Sequence, residues 1–227
     1  METETKTNYS IPIVIILAGI IIAGAMYFND GRKTEKPTDQ PLIVDIKNVN
    51  VDDDPFIGNP NAPVVIAEWF DYQCPACRYA DQNIITPLVA DYVRSGQVKI
   101  VFKDYAFMSA DSFSIALTAR AVWEAYPDKF YQWHKVFFDN QGSENTGWAT
   151  KEVINSLTSK VPGIDLAVID GMITKNLVKY QTAMEADKQE GLSFGIRSTP
   201  SFIIGDKLQV GAPQYSSFKI LVDSLLK

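Results

Sequence analysis

The sequence predicts an α/β domain carrying a helical insertion, and three observations point to it. An apolar run from Val64 to Tyr72, rich in β-branched and aromatic residues, reads as a buried strand, and it leads through Pro75 into helical periodicity and then a second apolar run, Val98 to Phe102. That is a β-α-β unit. From about Ser109 to Glu190 the pattern is helical without strand signals, whereas from Gly195 onward short strands, a turn and an amphipathic helix return.

Taken in order, residues 1–10 are a short tail, and Ile11 to Phe28 form 18 residues without a charge, long enough as a helix to cross a bilayer. This stretch predicts a membrane anchor, or a signal cleaved near Ala23 to Ala25. The basic residues Arg32, Lys33 and Lys36 after it outnumber Lys6 before it, which by charge alone places the remainder of the chain in the cytoplasm. Residues 29–51 read as a tether and lead-in: polar with two prolines to Pro41, then a first edge strand over Leu42 to Val51. The acidic run Asp52 to Asp54 reads as a solvated turn before an extended segment with Pro55, Pro60 and Pro63.

Residues 52–227 form the folded domain. After the first strand, Tyr79, Ile84, Ile85, Leu88, Val89 and Tyr92 make a helical stripe, which Pro87 is expected to kink. Within the insertion, Phe113, Ala116, Ala119, Val122, Trp123 and Tyr126 predict one apolar face and Phe130, Trp133 and Phe137 another. Thr150 caps a third helix, and a long helix from near Asp165 is expected to stop at Gly191. Ser201 to Ile204 and Leu208 to Val210 then read as a hairpin turning at Gly205 and Asp206, followed by a helix carrying Phe218, Leu221, Val222 and Leu225.

Chemistry concentrates at Cys74 and Cys77, the only cysteines in 227 residues. Their C-x-x-C spacing lets two thiols form and break a disulfide across one helical turn. Pro75 suits a first helical position, so Cys74 should sit at the helix N-terminus, where free N–H groups and the macrodipole favour a thiolate. Cys77 should be less exposed and resolve mixed disulfides formed at Cys74. A structural staple closing so short a loop is weakly stabilising. Zinc is poorly served by two thiols and the single histidine, His134. A cysteine-protease pairing of that histidine has little beyond residue type behind it, and His134 reads as a packing or surface residue. Composition is ordinary for a globular protein, with 46% hydrophobic and 21% charged residues, and a net charge of -6 without a basic block speaks against nucleic acid. Glu68 lies inside the buried strand, so its carboxyl should be protonated part of the time or share a polar pocket.

Three ordered stretches carry a resemblance: Asp52 to Val65 with Glu68 to Cys77, Lys129 to Gln141, and Gly195 to Lys207. Together they resemble the DsbA family of thioredoxin-fold thiol:disulfide oxidoreductases, in particular its membrane-anchored BdbD-like branch, over about residues 52–227. The resemblance implies a thioredoxin fold with the insertion at about 109–190, catalysis by Cys74 and Cys77, and proton relay to Cys77 by Glu68. It also implies a cis bond before Pro200, with Thr199 and Pro200 joining Pro75 and Ala76 in substrate contact. Reduced secreted proteins are the implied substrates and a quinone-linked membrane reoxidase of the DsbB or VKOR kind the implied partner, with no bound cofactor and no metal. The family works outside the cytoplasm, and a dithiol that oxidises others needs an oxidising compartment, so a catalytic domain beyond the membrane is expected despite the charge count. Strongly oxidising members carry Cys-Pro-His-Cys; Ala76 supplies no imidazolium, which predicts a milder oxidant that is still stronger than thioredoxin. An isomerase or reductase of the same fold, or a substrate-binding chaperone, are the alternatives.

Overall fold

The computed structural model describes residues 44–227. The expected membrane segment and residues 29–43 of the tether lie outside these residues. No helix among the described residues is long and apolar enough to cross a membrane.

Five strands form one sheet in the order β1-β3-β2-β4-β5. The central pair is β2 (Val64–Phe70) and β3 (Val98–Asp104), parallel from Val64 opposite Val98 to Phe70 opposite Asp104. Antiparallel neighbours flank it: β1 (Phe56–Ile57) on β3, and β4 (Ser201–Ile204) on β2, with β5 (Lys207–Val210) closing a hairpin on β4. Both central strands are buried almost throughout, which explains why they read as continuous apolar runs rather than alternating ones. Successive side chains still point to opposite faces. Val64, Ile66 and Phe70 enter the larger core, and Ala67 and Trp69 enter a smaller one with Phe194, Ile196 and Ile203.

Between β2 and β3 runs α1 (Pro75–Ala80), continuing through a wide π turn at Asp81–Ile85, α2 (Thr86–Leu88) and a second π turn at Val89–Val93. Pro87 thus interrupts the helix by a change of hydrogen-bond spacing, with helical dihedrals kept at Ile85 and Thr86. The insertion between β3 and β4 consists of α3 (Ala110–Ala125), α4 (Phe130–Asp139), α5 (Lys151–Thr158) and α6 (Leu166–Ser193), and α7 (Tyr215–Leu225) ends the fold. Side chains of Ser109, Thr150 and Asp165 cap α3, α5 and α6 by accepting backbone N–H bonds, as short polar residues do at helix starts.

Several expectations are corrected. The described part of the Leu42 to Val51 stretch is no strand: it holds a short 3₁₀ turn at Ile46–Asn48, and Val49 packs into the smaller core. The edge position goes instead to Phe56–Ile57. Phe113 is half-exposed, because Ile115 and Leu117 join Ala116, Ala119 and Val122 in the core. The long helix passes Gly191 and ends at Ser193. Gly191 is there for contact, since a Cβ on it would lie 2.8 Å from the Trp69 indole.

The acidic run is not merely a solvated turn. Asp52 and Asp53 are exposed, but Asp54 is buried in an ion cluster whose cations lie far along the chain. Lys103 Nζ lies 2.6 Å from Asp187 Oδ1 and 3.1 Å from Glu190 Oε2, and also pairs with Asp54. Arg120 Nη2 bonds Asp187 at 2.5 Å and Asp54 at 3.1 Å, while its Nε bonds Asp104 at 2.5 Å. Four carboxyls share two cations. Burial pushes Asp187 up to about 7, with Asp54 adding to the rise against Lys103 and Arg120. The cluster joins the lead-in, β3, α3 and α6. Replacing Arg120 with Met strands buried carboxylates, which costs about 3–5 kcal/mol. Urea unfolding at pH 7 should show that loss in full, and at pH 4 a smaller one, because neutral carboxyls need no counter-ion; equal losses at both pH values would contradict the cluster's role.

Candidate active site

Cys74 is the N-cap residue of α1, with extended backbone (φ -70°, ψ 117°), and Pro75 occupies the first helical position. A turn upstream fixes this start. The Cys74 N–H donates to the Asp71 carbonyl at 3.0 Å, and the Cys74 carbonyl accepts from Cys77 and Arg78 at 3.0 and 3.1 Å. Gln141 reaches in from the loop after α4, its Nε2 donating to the carbonyls of Tyr72 at 2.8 Å and Cys74 at 3.1 Å. Asp71 accepts from the N–H groups of Gln73, Phe107 and Met108, so the loop after β3 is tied to the same point. Gln73 bonds Ser109 and, at 3.1 Å, Ser112, and its Oε1 accepts from Asn145 N.

Asp71, Gln73 and Gln141 are the site residues that sequence reasoning missed. Their signal was present: Asp71 and Gln73 are polar residues at the end of an apolar strand, and Gln141 closes one of the three resembling stretches.

The two sulfurs are free thiols with opposite environments. A hydrogen bond from the Cys77 side chain is the largest influence holding Cys74 down, to about 6; burial opposes it, and the Thr199 side chain and the N–H groups of Cys77 and Ala76 assist. The helix start therefore contributes as expected, but behind the partner thiol. Cys77 is fully buried, and burial pushes its thiol well above the ordinary range, with Cys74 adding to the rise. Pro75 and Ala76 are exposed at the helix tip.

Across from Cys74 stands the loop before β4. The Thr199–Pro200 bond is cis, and the Cys74 Sγ lies 3.5 Å from the Thr199 carbonyl oxygen. Pro200 is buried and its carbonyl accepts from Gly211 N at 2.8 Å. Thr199 makes no backbone–backbone hydrogen bond among the described residues. On the other side of the helix tip a cleft is lined by Pro75, Arg78, Gln141, Gly142, Ser143 and Glu144.

Behind the sulfurs lies Glu68, 3% exposed, on the same face of β2 as Ile66 and Phe70. Burial raises its carboxyl well above the usual range, and the charges of Asp81 and Cys74 raise it further; Glu68 in turn raises Cys77. His134 is a packing residue, ringed by Phe70, Phe102, Phe130 and Phe138, with its Nδ1 3.0 Å from the Tyr72 hydroxyl. Burial holds it down to about 3, so the ring is neutral. Among the described residues no three His, Cys, Asp or Glu side chains are grouped to hold a metal.

A thioredoxin family model matches residues 50–224. Disulfide bond formation protein D of Bacillus subtilis is 26% identical over 173 residues, covering 76% of this chain and 77% of its own. The crystal structure of oxidised BdbD from Bacillus subtilis superposes with a TM-score of 0.70 at 24% identity, covering 81% of this chain and 96% of that one, which speaks to the fold. The thiol-disulfide exchange protein alpha-DsbA2 from Wolbachia pipientis gives a TM-score of 0.68 at 26% identity over 76% of this chain and 87% of its own. With the cysteine pair, the cis-proline loop and the helical insertion all in place, the chain belongs to the thioredoxin family, in its DsbA-like and BdbD-like branch of protein thiol:disulfide oxidoreductases.

Proposed function

We propose that this oxidoreductase is a disulfide donor acting outside the cytoplasm, held to the membrane by the segment Ile11 to Phe28, with reduced secreted proteins as its clients. The observation that carries the reading is the opposition between the sulfurs: Cys74, 7% exposed beneath the exposed Pro75 and Ala76, is held down to about 6, whereas Cys77 has no exposure and is held up.

In the forward reaction a client thiolate attacks Cys74 Sγ of the disulfide form. The client–Cys74 bond forms, the Cys74–Cys77 bond breaks, and Cys77 leaves with the electron pair. A thiolate in that buried position is costly, so Glu68 gives it a proton and is reprotonated from solvent. A second client thiolate then attacks the client sulfur of the mixed disulfide, and Cys74 departs as a thiolate. The client has lost two electrons and the protein holds them as a dithiol. The low thiol pKa of Cys74 makes it a good leaving group in this last step.

The Thr199 backbone, free of other main-chain partners, suits an extended client segment laid beside Cys74 as an added strand, with Pro75, Ala76 and Pro200 in contact with it. Half-exposed Phe107 and Tyr79 offer apolar surface on elements adjoining the site. Return to the disulfide state needs an electron acceptor, and a quinone-linked membrane reoxidase of DsbB or VKOR type fits an anchored donor.

A Cys74 value of about 6 falls between those of thioredoxin, roughly 7, and DsbA, roughly 3.5. Equilibration with glutathione should accordingly give a potential between about -270 and -120 mV, the thioredoxin and DsbA figures; a value at or below thioredoxin's would count against a donor. In intact cells, a membrane-impermeant thiol reagent should leave Cys74 unmodified until a reductant is added and then label it. Labelling without reductant would favour the isomerase or reductase reading, and no labelling in either condition would place the domain inside.

A further inference from the structure

Gln141 has no part in the exchange steps above, yet its side chain holds the segment that carries the nucleophile. Helix α1 secures Cys74 from one side, through the Cys77 and Arg78 N–H groups on its carbonyl, and the turn to the Asp71 carbonyl secures it from the other. Between these two points the chain is neither strand nor helix. The Tyr72 carbonyl, in a residue 2% exposed, has no main-chain donor among the described residues. Gln141 Nε2 supplies one at 2.8 Å, and the same nitrogen reaches the Cys74 carbonyl at 3.1 Å. The two hydrogens of one amide thus serve two carbonyls and hold the chain on both sides of Gln73.

The donor is itself held. The Gln141 N–H bonds the Phe138 carbonyl at 3.3 Å, and Asn140 before it accepts from Lys160 Nζ at 2.7 Å while donating to the Val136 carbonyl at 2.8 Å. Gly142 after it lies so close to Trp148 that a Cβ there would stand 2.5 Å from the indole. The Asn145 N–H then returns to Gln73 Oε1 at 3.0 Å, and Gln73 Nε2 donates to Ser112 at 3.1 Å and to Ser109. The loop 141–145 and the turn before α1 therefore grip each other reciprocally, a glutamine from each bonding the main chain of the other. A long side chain ordered in advance loses little entropy on bonding, so it can fix a position rather than follow it.

Thiol–disulfide exchange rewards such fixing, because the attacking, central and leaving sulfurs react in line, and a misplacement of about 1 Å costs up to roughly 100-fold in rate. We propose that Gln141 is a positioning residue for this reaction: by bonding the carbonyls of Tyr72 and Cys74, it fixes the line along which Cys74 Sγ meets a client sulfur on one side and Cys77 on the other. No proton or electron passes through the amide, and the sulfur chemistry is that of the steps above. The helical insertion thereby takes part in the reaction it borders. The inference concerns exchange at Cys74 in either direction, so it stands whether the protein acts as a donor or as a reductase.

The test separates rate from equilibrium in the full-length protein. Gln141→Met keeps the length of the side chain without its donors. Stopped-flow measurements with glutathione should show the rate constants for opening the Cys74–Cys77 disulfide and for reclosing it both lowered by about tenfold or more, with their ratio, and hence the potential, unchanged, since a positioning group lowers the barrier from both sides. A merely structural role would lower the urea midpoint and leave both rate constants of the folded protein in place. Gln141→Glu has a donor only while its carboxyl is protonated, so its rate relative to the parent at the same pH should rise as the pH falls toward about 4, whereas the deficit of Gln141→Met stays flat. This second variant decides alone if the first does not fold. Unchanged rate constants in Gln141→Met, a change in one direction only with a shifted potential, or a Gln141→Glu deficit independent of pH would each overturn the inference. A parent potential at or below thioredoxin's would count against the donor reading and leave this inference standing.

Discussion

The placement of Cys74 at the start of α1, with the buried Cys77 thiol one turn behind it, is the constraint on which the rest of the site depends. Without the inner thiol, the Thr199 side chain and the N–H groups of the helix start act on Cys74 against its burial. With it, the proton stays on the inner sulfur and the charge on the outer one. This division is what makes a C-x-x-C pair directional: one sulfur exchanges with partners, and the other closes or opens the ring behind it.

Much of the fold serves to keep that turn in place. The parallel pair β2 and β3 delivers Asp71 and Gln73 to the point where the chain bends into α1, and Asp71 ties the following loop to it through backbone N–H groups. The helical insertion contributes Gln141 and Asn145 from one side and Ser109 and Ser112 from another. An insertion that looks like an appendage in sequence is therefore part of the wall of the site. Its other end is fastened by the ion cluster of Lys103 and Arg120, which binds α3 and α6 to the sheet and to the lead-in.

The local signals in the sequence were sufficient for the β-α-β unit, the hairpin and the cysteine pair, because strand burial, Pro at a helix start and Gly at a turn act over a few residues. The cis bond at Pro200 was legible only through resemblance, since no spacing rule places residues 199 and 74 together, and the relay proposed for Glu68 has the same source. What escaped was contact between distant segments. Asp54 looked solvated because its cations lie 49 and 66 residues away. Gly191 looked like a helix stop because nothing local reveals the Trp69 indole against it. Only packing puts His134 and Lys135 beside Asp81.

The central claim, that Cys77 sets the reactivity of Cys74, is open to a direct measurement. The rate of alkylation of the reduced protein followed against pH should report Cys74 alone, as Cys77 is fully buried, with a midpoint near 6. In Cys77→Ala the midpoint should climb toward the ordinary thiol value of about 8.5. A midpoint already near that value in the parent protein, or one that does not move when Cys77 is removed, would contradict the account.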